Sequence, residues 1–146
     1  MRKLFVYSAI LLVPVVFCIP ALAHHGFGGR YDEDNPITVQ GTVTDFQFTN
    51  PHSFIYFDST DTNAKTQRWQ AELGSVNQLH MSGWTKDTLK SGDKITLTGP
   101  RAKNGSNDLN LSHESKIVLT ETGKVLWNNL GSGNRGPQSP PPAAPY

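Results

Sequence analysis

The chain has 146 residues, 36% hydrophobic and 17% charged, with 13 Lys and Arg against 12 Asp and Glu for a formal net charge of +1. Charge this close to balance argues against a polyanion such as nucleic acid as partner, and the length suits one small domain with a modest core. The single cysteine, Cys18, lies so early that its fate depends on processing of the N-terminus.

That N-terminus reads as a secretory signal over residues 1–23. Met1-Arg2-Lys3 is basic, Leu4 to Ile19 is an uncharged run that is apolar apart from Ser8, and Ala21-Leu22-Ala23 supplies a small-x-small cleavage site. The apolar run is short for a bilayer span and ends in a cleavage site instead of a basic stop. A lipoprotein centred on Cys18 is disfavoured by Val16-Phe17 in front of it. Processing is expected after Ala23, giving a periplasmic or secreted chain that starts at His24 and has no membrane attachment. Losing Arg2 and Lys3 turns the net charge from +1 to −1. Losing Cys18 removes disulfides, thiolate metal sites and cysteine mechanisms together.

Residues 24–36 read as a flexible arm. Gly26-Phe27-Gly28-Gly29 lacks the flanking strand and helix that a phosphate cradle needs. Asp32, Glu33 and Asp34 do not match a calcium-loop spacing and read as a solvated turn.

From Ile37 the pattern has period two. Ile37, Val39 and Val43 share one parity and Phe46 and Phe48 the other, so one long strand over 37–49 needs a bulge or kink near Gly41 to Asp45. Asn50-Pro51 ends it, placing His52 at a sheet rim. Ser53 to Asp58 is a second strand, apolar on both faces through Phe54, Ile55, Tyr56 and Phe57, as expected where one face meets a core and the other something else. Gln67 to Leu73 alternates with Trp69, Ala71 and Leu73 inward and Arg68, Gln70 and Glu72 outward. Ser75 is the N-cap of a short helix closed by Gly83, with His80 on its surface and Trp84 plugging one end of the core. Ile95 and Leu97 mark a fourth strand. Leu109, Leu111, Ile117 and Leu119 keep one parity across a fifth, which puts His113 in core or edge packing. Val125-Leu126-Trp127 is a short final strand or a clamp, and residues 128–146 are too rich in Gly, Ser, Asn and Pro to order. The expected fold class is all-β with one short helix, a small OB-like five-stranded barrel over 37–127.

Ala23-His24-His25-Gly26-Phe27, Thr49-Asn50-Pro51-His52-Ser53, Trp69-Gln70-Ala71-Glu72-Leu73-Gly74-Ser75 and Gly83-Trp84-Thr85-Lys86-Asp87-Thr88-Leu89-Lys90-Ser91-Gly92-Asp93 together resemble a family of small exported bacterial proteins catalogued as a domain of unknown function. The resemblance runs from the cleavage site to about Leu119. It implies an exported single domain and includes His24, His25 and His52 in its pattern, but implies no activity. His80 and His113 fall outside that pattern.

Cleavage after Ala23 gives His24 a free α-amine that, with its own Nδ1, can close a chelate ring on a metal. His25 and His52 can add nitrogens. An amine with imidazoles and no sulfur suits Cu(II) first and Zn(II) second. No nucleophile elbow or His-Glu-x-x-His helix is present, so no catalytic residue is assigned; Glu72 and Asp58 are the carboxylates available to pair with His52. The alternative is a module that binds a small non-metal ligand or another protein through an aromatic face of Phe54, Tyr56, Trp69 and Trp84, residues that a core also explains. Oligomeric state is not legible.

Overall fold

The computed structural model describes residues 27–130. They form a mostly β protein with one short helix, Val76–Met81 (α2), preceded by a single helical turn, Phe27–Arg30 (α1). The strands are Ile37–Gln47 (β1), Phe54–Thr60 (β2), Thr66–Glu72 (β3), Lys94–Gly99 (β4), Asp108–Asn110 (β5), Lys116–Leu119 (β6) and Val125–Asn128 (β7).

The parity change along β1 is resolved by a bulge at Thr44. Pairing passes from Val43 opposite Phe57 to Asp45 opposite Tyr56, so the extra residue carries Phe46 onto the side that Val39 and Val43 bury. Gly41 is required just before this bulge because β2 lies close. A Cβ there would stand 2.5 Å from Phe57 Cδ2 and 2.7 Å from the Asp58 carbonyl oxygen. Gly41→Ala is therefore expected to cost about 1–3 kcal/mol, the range for overpacking a tight site. Urea unfolding measures it, and a midpoint unchanged from the parent would contradict this approach of β1 to β2.

The five-stranded barrel expectation is corrected. Seven strands form one open sheet in the order β5-β3-β2-β1-β4-β6-β7. The single fifth strand inferred from Leu109 to Leu119 is in fact two, β5 parallel to β3 and β6 antiparallel to β4. Side chains in the intervening turn break it. Asn110 Oδ1 accepts from the Ser112 amide at 2.9 Å, and Ser115 Oγ lies 2.8 Å from the Leu111 carbonyl oxygen, so local bonds outcompete a continued ladder. Leu109, Leu111 and Ile117 still share the core, which is why their parity suggested one element. His113 lies exposed in this turn and not in the core.

Ser75 caps α2 in a capping box with Gln78. Gly83 closes the helix at a φ of 78°, its amide donating to the His80 carbonyl and that of Trp84 to the Leu79 carbonyl, the paired bonds of a Schellman motif. This geometry feeds Trp84 directly into the core.

Candidate functional site

The turn between β1 and β2 is built by small polar side chains. Ser53 is fully buried, and its Oγ lies 3.1 Å from the Thr49 carbonyl oxygen and 3.2 Å from the Thr49 amide, folding the segment back on itself around the cis Asn50-Pro51 peptide. Backbone bonds join Ser53 to Gly74 and Leu73, and Asn50 Oδ1 accepts from the Val76 amide at 3.1 Å. The corner is thus clamped to the end of β3 and the start of α2, which fixes where His52 stands.

His52 Nδ1 lies 2.9 Å from Glu72 Oε1. A proton on Nδ1 would face this carboxylate oxygen, and Nε2 is the lone-pair nitrogen of the ring in that neutral tautomer. Glu72 itself is buried on the outer face of β3 opposite Phe54. Its other oxygen lies 3.3 Å from the Tyr31 hydroxyl, which is also 3.1 Å from Asp108 Oδ2, and Arg30 pairs with that same Asp108 oxygen. The result is a continuous polar network, His52–Glu72–Tyr31–Asp108–Arg30, across the outer face of the sheet.

Tyr31 is its centre and is fully buried. Burial first, then the charges of Asp108 and Glu72, push its phenol well above the usual tyrosine range. It therefore stays a donor, with one hydroxyl proton facing two carboxylates, while Arg30 offsets the charge on Asp108. Backbone bonds secure the segment from the other side: Lys103 donates to the Arg30 carbonyl, Asp32 to the Arg101 carbonyl, and Tyr31 bridges Ala102. The part of the 24–36 arm around Tyr31 is thereby built into the fold.

His24 and His25 lie outside the described residues, so the structure brings neither to His52 nor separates them. Among the described residues, no group of three His, Cys, Asp or Glu side chains is placed to hold an ion. Asp58 pairs with Arg68 at 3.3 Å, leaving Glu72 as the partner of His52. His80 lies on the surface of α2 with the ring of Phe48 edge-on at 5.0 Å. Of the four aromatics proposed as a ligand face, Trp69 and Trp84 belong to the core, at 8% and 2% exposure. Phe54 and Tyr56 instead stack on the outer face, their centroids 6.3 Å apart at 28°.

Sequence reasoning missed Tyr31, Asp108 and Arg30, and placed Glu72 outward without the cover that buries it. A hint was available in the apolar outer positions Phe54 and Tyr56. A face that carries aromatics is covered by something, and a carboxylate beneath that cover needs partners.

Fold and corner together define a small open-sheet β protein with a histidine–carboxylate corner under an N-terminal strap. The chain belongs to the family described as Family of unknown function (DUF6152), whose profile matches residues 13–110. No curated protein matches the chain. No helix among the described residues is long and apolar enough to cross a membrane.

Proposed function

We propose that the chain is exported to the periplasm or beyond, processed after Ala23, and binds a divalent transition metal, Cu(II) before Zn(II), through the His24 amine and imidazole with His25 and His52. The observation that carries this reading is the shared carboxylate: Glu72 orients His52 and also receives Tyr31, so the N-terminal segment enters the fold beside the proposed ligand. A histidine whose Nδ1 faces a carboxylate has the kind of contact that orients metal-binding imidazoles and raises their basicity.

The test is Cu(II) titration of the chain beginning at His24 against one that keeps one extra residue before it. The extension is expected to weaken binding about tenfold or more, because it converts the chelating amine into an amide. Affinity for the native terminus should also fall on acidification, as protons compete for an amine with a reference pKa of about 8. Equal affinity for both chains would remove the amine from the site.

A second reading is favoured by the outward stack of Phe54 and Tyr56. In it the chain is a non-metal binding module whose ligand lies on those rings, and Cu(II) uptake by neither chain would support it.

A further inference from the structure

We propose that the groove between α1, the outer face of β2 and β3, and the loop over 101–108 binds a small organic carboxylate carried on a ring. The inference rests on the second reading, with Tyr56 as part of a ligand face, and is independent of any metal. The groove measures about 500 Å³, the size of small-ligand sites, and its lining includes Tyr56, Arg30, Arg68, Gln70, Asn107 and Asp108, whose Oδ1 is buried and whose Oδ2 is taken by Arg30 and Tyr31. Tyr56, whose ring stacks on Phe54, offers it an aromatic wall.

The polar groups determine the ligand. Arg30 and Arg68 are each positioned by one carboxylate without being used up. Asp108 takes one terminal nitrogen of Arg30, and Asp58 meets Arg68 at Nε, while the two side chains stay 55% and 70% exposed. Asn107 already bonds Gln67 and Arg101. The groups left to a ligand are therefore guanidinium N–H groups, which only donate, with the Tyr56 hydroxyl and the Gln70 amide, which can donate or accept. The exposed charged groups of the groove are both cations. A planar carboxylate matches the guanidinium fork, and a ring joined to it would lie against Tyr56.

The test is an NMR titration of the chain beginning at His24 with benzoate, benzamide and acetate. Benzoate is expected to give saturable shifts at Tyr56, Arg68 and Gln70, at least about tenfold tighter than benzamide or acetate, and to weaken with added salt. Arg68→Gln, an exposed substitution whose folding the spectrum itself reports, should lower benzoate affinity about tenfold and leave benzamide unchanged. Benzamide binding as tightly as benzoate would overturn the carboxylate assignment and leave the aromatic-face reading standing. Acetate binding as tightly would overturn the ring. Saturation by none of the three would overturn the proposal and that reading together.

Discussion

Tyr31→Ala is expected to destabilise the protein by about 3–5 kcal/mol, the range for truncating a fully buried aromatic. The loss is larger than packing alone suggests, because Glu72 and Asp108 would keep their burial and lose the hydroxyl that faces both. Tyr31→Phe separates the two contributions. It keeps the ring and removes the donor, so about 1–3 kcal/mol should remain. Urea unfolding at neutral pH gives both values, and a Tyr31→Ala midpoint near that of the parent would mean that the strap is not part of the folded unit. The phenol supplies a second readout. Its folded pKa is raised above the unfolded value of about 10, so its contribution is complete below that pH and is lost as pH climbs toward the folded value. Tyr31→Phe should therefore flatten part of the alkaline loss of stability seen in the parent.

Trp84→Ala should cost a similar amount, about 3–5 kcal/mol, by a different route. The indole is 2% exposed, meets Phe46 edge-on at 5.8 Å, and donates from Nε1 to the Leu126 carbonyl at 3.2 Å. It ties the end of α2 to β1 and β7 at once. Loss of the ring opens a cavity where these elements meet and releases the side-chain bond to the Leu126 carbonyl, so hydrogen exchange over Val125–Asn128 should accelerate more than over β2 and β3. Trp84→Phe refills much of the volume without the donor and should recover most of the stability but little of the β7 protection. Uniform exchange changes across the sheet would contradict this placement.

Local features were legible where one residue dictates one geometry. The bulge in β1 follows from incompatible parities on either side of Thr44, and the α2 boundaries follow from Ser75 and Gly83. Sheet order was not legible. Leu109 to Leu119 keep one parity because they serve one core, and parity does not reveal that Asn110 and Ser115 redirect the chain between two distant positions in the sheet. Of the site, Asn50-Pro51 revealed the corner and hence His52. The burial of Glu72 was hidden because its cover comes from Tyr31, a residue in a polar stretch far away in sequence whose docking has no local periodicity.

The β2–β3 ribbon has two ends with opposite demands. At one, Thr60 pairs with Thr66 and the hairpin beyond is closed by its own residues, with Asp61 Oδ1 accepting from the Asn63 and Lys65 amides at 2.9 Å each. At the other, Phe54 faces Glu72, the Ser53 backbone bonds Gly74 and Leu73, and the Asn50 side chain takes the Val76 amide. Natural variation in loop length is therefore cheap at the first end and ruinous at the second, where a single added residue would swing the imidazole away from its carboxylate.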